Sequence, residues 1–271
     1  MGVRCAYAQL DAGQLHYRYA GDPDNPTLVL LHQTPSTSAM YIPLMTVLAE
    51  NYYLVAPDTP GFGGSEALAG PCSIAGFSRR LLDFLQHLDI DECLLFGHHT
   101  GAAIAVQMAV DDPARFAALA LCGPTLLSES QRSTLPALVA PFPPSDDGSH
   151  FQQMWQRIGA KDPHAPQSLI QREVLSAIAC GDNYQASYRA VCEQDYASQL
   201  AVLDCPVLVF AGDQDSLRDA VDPSLALLKN GCTASLPAGA GTYVCEREPG
   251  AVAGLLIDFY SGIQEKKHGP E

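Results

Sequence analysis

Positive charge is scarce in this sequence. Only 15 lysines and arginines face 30 aspartates and glutamates, and the net charge of −15 argues against a nucleic-acid partner, because phosphates need a basic surface. An acidic, solvated exterior serves solubility instead. No apolar run approaches the roughly 20 residues that cross a bilayer, so no membrane partner is expected. The opening MGVRCAYAQLDAGQLHYRYA has no apolar segment behind a basic one, so no secretory leader is expected and a cytoplasmic location follows. Paired cysteine is missing as well. Nine cysteines are scattered singly with no C-x-x-C, which speaks against a zinc ribbon or disulfide framework and suits small core hydrophobes in a reducing compartment.

What is present is the raw material of one large core. The chain has 271 residues, 47% hydrophobic and 17% charged, enough for a single domain carrying an insertion. Apolar runs at 27–32, 52–58, 93–97, 116–123 and 205–213 are candidate strands, preceded by an antiparallel hairpin that turns at Ala12-Gly13. Helical periodicity alternates with them at 39–50, 74–88 and 101–111, the last stopped by Asp112-Pro113. From Thr125 to Leu203 the alternation fails, leaving prolines and amphipathic helical pieces such as 166–179 and 183–194. A helix, a short strand in CTASLP and a closing helix from Pro249 follow, with QEKKHGPE expected to fray. Alternating strands and helices predict an α/β fold with a mostly parallel sheet.

Five landmarks then occur in a telling order: LLHQTP, APDTPGFGGS, GHHTG, VLVFAGDQD and LPAGAGTYVCEREP. In that order they resemble the α/β-hydrolase superfamily, in its cap-bearing branch of esterases, C–C hydrolases and dehalogenase-like enzymes. The likeness runs from about Thr27 to Tyr260. It implies an eight-stranded, mostly parallel sheet flanked by helices, with the core formed by 1–124 and 204–271 and a helical cap, or lid, inserted at 125–203.

The family's chemistry rests on a serine, an acid and a histidine in that chain order. Matched residue by residue, the resemblance gives His99 at the nucleophile, Asp215 at the acid and Thr242 at the histidine. The eight histidines are at 16, 32, 87, 98, 99, 150, 164 and 268, so none follows the acid strand except in the tail. Ser65 and Ser128 lie away from the elbow and are not promoted to nucleophile.

Imidazole exceeds serine in volume while threonine falls short of histidine, so the two replacements complement each other. His99 is therefore expected to fill part of the space of a Ser–His pair, with its second nitrogen bonded to Thr242 or reaching Asp215 directly or through water. A carboxylate partner would make it a general base. Oxyanion donors would come from the backbone of Thr100 and of the loop after His32, Thr34 ahead of Gln33. Such a site suits lyase, decarboxylase or isomerase chemistry, or water-activating hydrolysis, on a small carbonyl-containing molecule, with direct imidazole attack as a further route. The bland alternative is a degenerate hydrolase that only binds its small-molecule ligand.

His98 and His32 are placed at the elbow and oxyanion loop, where packing is their ordinary task. Trp155, Tyr184 and Tyr188, with Phe142, are candidates for shaping the substrate pocket, and Arg157, Arg172 or Arg189 for pairing with a substrate carboxylate. Asp213 is expected to be solvated or loop-bonded. No metal and no cofactor are expected: no histidine pair has i, i+4 spacing, and Gly63-Gly64 lacks the lysine of a phosphate loop. A homodimer is left open.

Overall fold

The computed structural model describes residues 2–267. Its hairpin joins β1 (Arg4–Leu10) to β2 (Gly13–Ala20), antiparallel from Arg4 opposite Tyr19 to Leu10 opposite Gly13. Gly13 turns the chain at φ 115°, a conformation that costs other residues dearly. Six further strands follow: β3 (Thr27–Leu31), β4 (Tyr53–Pro57), β5 (Cys93–His98), β6 (Phe116–Cys122), β7 (Val207–Phe210) and β8 (Gly231–Thr233). They form one eight-stranded sheet in the order β1-β2-β4-β3-β5-β6-β7-β8. Only the β1–β2 and β2–β4 pairs are antiparallel.

Parallel strands need covering on both faces, and their period-two alternation supplies two cores. In β3 and β5, Val29, Leu31 and Leu95 face one core, while Leu28, Leu30, Leu94 and Phe96 face the other. The first core is shared with α2 (Ile74–His87) and α3 (Thr100–Asp111), the second with α1 (Ile42–Leu48) and α11 (Pro249–Lys267). Helix α2 starts where the Ser73 side chain accepts from the Gly76 N–H and buries Phe77, Leu81, Phe84 and Leu85 along one stripe. Each such fully buried side chain contributes about 2 kcal/mol. Across the sheet, Tyr260 of α11 donates its hydroxyl to the Leu95 carbonyl at 2.8 Å.

The helix expected over 39–50 is split. Residues Ser38–Tyr41 form a tight 3-10 turn and α1 begins at Ile42, because Pro43 lacks an N–H and fits the first turn of a helix better than its interior. Strand β7 stops at Phe210, short of the expected 205–213, and β8 at Thr233, short of the prolines and glycines of its loop. Helix α11 continues to Lys267, into the stretch expected to fray; residues 268–271 lie outside the described ones.

Between β6 and β7 the chain forms α4 (Glu129–Leu138), α5 (Ser149–Gly159), α6 (Gln167–Ala179), α7 (Asn183–Glu193) and α8 (Tyr196–Val202). No strand occurs in 125–203. Two short helices, α9 (Val221–Leu227) and α10 (Val244–Arg247), flank β8. From β3 the chain crosses to β4 on one side and then returns to β5 on the other, so the order reverses at β3. The carboxyl ends of β3 and β5 therefore open a crevice, the usual place for a ligand in such sheets. Residues 32–34 and 98–99 stand there.

Candidate active site

Strand β5 ends at His98, α3 begins at Thr100, and His99 lies between them at φ 49°, ψ −112°. A non-glycine residue held there costs roughly 1–3 kcal/mol, which the surrounding structure must offset. The flanking glycines make the turn sterically feasible. A Cβ on Gly101 would come within 1.9 Å of the Leu31 carbonyl oxygen, and one on Gly97 within 2.4 Å of the Gly101 oxygen. Gly123, at the end of β6, matters for the imidazole itself, since a Cβ there would sit 2.2 Å from His99 Cδ2. In the sequence Gly123 stands out only as a glycine directly after a buried strand.

Asp215 follows β7. Its Oδ2 and Oδ1 lie 2.8 and 3.0 Å from His99 Nε2, and Oδ1 also accepts from the Leu217 N–H at 2.8 Å. A carboxylate only accepts, so Nε2 carries the proton and Nδ1, which has no protein partner among the described residues, keeps its lone pair. Burial pushes the Asp215 carboxyl upward. The neighbouring His99, aided by His98 and the Leu217 N–H, outweighs that and holds it at about 2. Thr242 is buried and close by, but no hydrogen bond links it to His99. Its loop is fixed by the Gln214 N–H, which donates to the Ala240 carbonyl at 2.9 Å. Asp213 accepts from the Gly239 N–H at 2.9 Å and is exposed.

The loop after β3 is anchored by His32. Its Nε2 accepts from the Thr59 N–H at 2.8 Å, so Nδ1 donates to the Gln33 carbonyl at 2.9 Å. Burial lowers the His32 pKa and keeps the ring neutral. Thr34 reaches the helical segment through its hydroxyl, 3.2 Å from Ser187 Oγ. The N–H of Thr100, first in α3, belongs to the donors that no helical carbonyl can satisfy.

A cavity of about 610 Å³ lies over this turn. Of the expected residues, His99, Thr100, Thr34, Thr242, Tyr184 and Tyr188 line it; Asp215 stands behind His99, its side chain 1% exposed. His32 is buried as loop scaffolding and His98 packs behind the turn, its ring edge-on to His99 at 4.6 Å and its Nδ1 3.8 Å from Cys245 Sγ. Gln33, the second-ranked oxyanion donor, is buried and does not line the cavity. The pocket and pairing candidates need correcting. Trp155 is 39% exposed, because Met154 and Ile158 hold the inward face of α5 and their neighbour is rotated out. Phe142 lies instead beneath the Arg157 guanidinium, 3.8 Å from its ring centre. Arg172 is spent on Glu173 and Glu246, and Arg189 is exposed. Lys161, Gln214 and Ser216 line the cavity without having been expected, since no local pattern marks them.

Ser65 donates to the Asp58 carbonyl at 2.8 Å and Ser128 caps α4, both structural tasks. Among the described residues, the ligand-type atoms of His98, His99 and Asp215 fall within 4.8 Å of one another, a grouping that could hold a metal ion. In the arrangement observed, His99 Nε2 and Asp215 satisfy each other, and an ion would have to replace that bond. Among the described residues no helix is long and apolar enough to cross a membrane.

A mostly parallel sheet that presents one side chain on a strained strand-to-helix turn, over a cavity at its switch point, defines a class of α/β proteins built for chemistry at that turn. A family model described as the alpha/beta hydrolase fold matches residues 26–224, and the chain belongs to that family. A fluoroacetate dehalogenase from a Burkholderia species is 25% identical over 294 aligned residues, covering 97% of this chain and 96% of that protein. The 3-oxoadipate enol-lactonase 2 of Acinetobacter baylyi is 24% identical over 210 residues, 77% of this chain and 78% of its own. Among solved structures, a putative lipase from Acinetobacter baumannii superposes with a TM-score of 0.83 at 18% identity, covering 98% of this chain and 93% of that one. That last likeness concerns the fold.

Proposed function

We propose that this member of the α/β-hydrolase family is an enzyme acting on a small carbonyl compound, with His99 as general base and no serine nucleophile. The observation that carries the reading is the 2.8 Å bond between His99 Nε2 and Asp215, formed at the elbow itself. Asp215 fixes the tautomer and stabilises the imidazolium once formed, while Nδ1 takes a proton from a bound water or from carbon beside the carbonyl. Charge then develops on the carbonyl oxygen, where the N–H groups of Thr34 and Thr100 stabilise it. The proton returns from Nδ1 to the product, which closes the cycle without a covalent intermediate. Residues 125–203 act as the cap that excludes bulk water, and Thr242 leaves room for the larger ring.

Two measurements test this. Incubation with a fluorophosphonate followed by intact mass analysis should leave the protein unmodified, and a labelled serine coupled to lost turnover would refute the reading. Turnover in ¹⁸O-labelled water separates the two branches: water activation carries the label into the product acid, and proton abstraction does not. Ligand binding without turnover of any carbonyl compound would mark the protein as a binder instead.

A further inference from the structure

The acid-rich chain has built a cavity without acids. Aspartate and glutamate outnumber lysine and arginine 30 to 15 in the sequence, yet the residues lining the 610 Å³ cavity include Arg157 and Lys161 and no carboxylate. Arg157 is turned toward the wall, where its Nη1 donates to the Ala140 carbonyl at 2.7 Å and its guanidinium covers Phe142, which does not line the cavity. Lys161 lies beside the proposed oxyanion loop. Its ammonium donates to the Tyr188 hydroxyl at 3.0 Å and to the Thr34 carbonyl at 3.4 Å. Tyr188 in turn donates to the same Thr34 carbonyl at 3.1 Å. An ammonium has three donors, so one remains without a protein acceptor among the described residues.

Neighbouring acids do not neutralise it. Asp162, the next residue, is buried and bound to Arg247 at 2.8 Å. Glu173 accepts from Arg172 and from Ser36. Burial pushes the Tyr188 phenol upward, so that side chain stays neutral. An unpaired cation thus sits against the residue proposed to donate to the oxyanion, in a cavity otherwise walled by side chains such as Leu127, Leu135, Val139 and Val191.

We infer that Lys161 is the subsite for a carboxylate, and that the substrates are apolar keto or acyl acids: a hydrophobic body, a reacting carbonyl, and a carboxylate held by this ammonium. The inference rests on the proposed reading of the cavity as the substrate site. Its energetic logic is local, because a net charge of −15 repels anions at long range. One hydrogen bond between charged groups should favour the acid over a neutral isostere by roughly tenfold to hundredfold.

The test is calorimetric titration of the intact protein with 4-oxo-4-phenylbutanoate and with its neutral amide. The acid should bind at least tenfold more tightly. In Lys161→Met, shown to be folded by circular dichroism, the preference of acid over amide should vanish, and Lys161→Arg should retain most of it. Equal affinities in the parent protein, a preference that survives Lys161→Met, or no binding of either compound at millimolar concentration would overturn the inference. Repeating the titration on His99→Ala separates this claim from the catalytic one: acid preference kept with turnover unaffected refutes the base and leaves the subsite standing.

Discussion

Asp215→Asn replaces one carboxylate oxygen with an NH₂ group and should invert the chemistry of His99. The Leu217 N–H, 2.8 Å from Oδ1, needs an acceptor, so the amide oxygen of the introduced side chain takes that position. Its NH₂ then replaces Oδ2, the atom 2.8 Å from His99 Nε2. An NH₂ group only donates, and Nε2 is forced to accept, moving the imidazole proton to Nδ1. The nitrogen proposed as the base then holds a proton and cannot remove one. Turnover should fall by roughly 10²–10⁴, the usual worth of a general base. A stability change accompanies it. The carboxyl is held at about 2 against an ordinary 3.8, so the folded state gains on the order of 2 kcal/mol from this ionised group at neutral pH. The neutral amide forfeits that, a drop in Tm of about 5 °C in a chain of this size. Long-range ¹⁵N–¹H NMR of histidine-labelled protein reads the tautomer, and calorimetry reads Tm. A variant that keeps Nε2 protonated, or that turns over within threefold of the parent, would refute the reasoning.

Gly123→Ala should drive a methyl into the imidazole, 2.2 Å from Cδ2, at a position with φ 64°; circular dichroism should show a folded protein, and turnover should drop with the displaced ring. Arg172→Met leaves Glu173, fully buried, and Glu246 without their cation, and urea unfolding should show a loss of roughly 3–5 kcal/mol. Acid sensitivity follows from Asp58 and Asp215. Burial pushes Asp58 up, yet His16, His32, Ser38 and the Gly64 N–H hold it at about 2. Carboxyls lowered in the fold stabilise it above 3.8 and lose that contribution as pH falls toward 2. Stability measured by urea titration should therefore decline across that window, and less steeply in Asp58→Asn.

Period-two and helical patterning made the sheet and its flanking helices legible, because strands such as β5 are buried on both faces and α2 carries one apolar stripe. The split before Ile42 was not, since Pro43 permits either a kink or a fresh start. Asp215 was readable from its place after a strand. The rest of the site depends on which way side chains point. His98 precedes the turn and His32 follows β3 at the start of the proposed oxyanion loop, but each faces into packing. Trp155 stands on the outward side of α5, and Lys161 reaches the cavity only because the chain after α5 folds back over Thr34. No local period encodes that meeting of distant segments.

The proposed chemistry turns on one side chain, and one comparison tests it directly. Hydrogen–deuterium exchange at the carbon beside the carbonyl of 4-oxo-4-phenylbutanoate, followed by NMR in deuterium oxide, should proceed faster with the parent protein than in buffer. In His99→Ala, with the fold intact by circular dichroism, the enzymatic rate should fall by roughly 10²–10⁴. Exchange that continues undiminished in His99→Ala would contradict the assignment of His99 as the base.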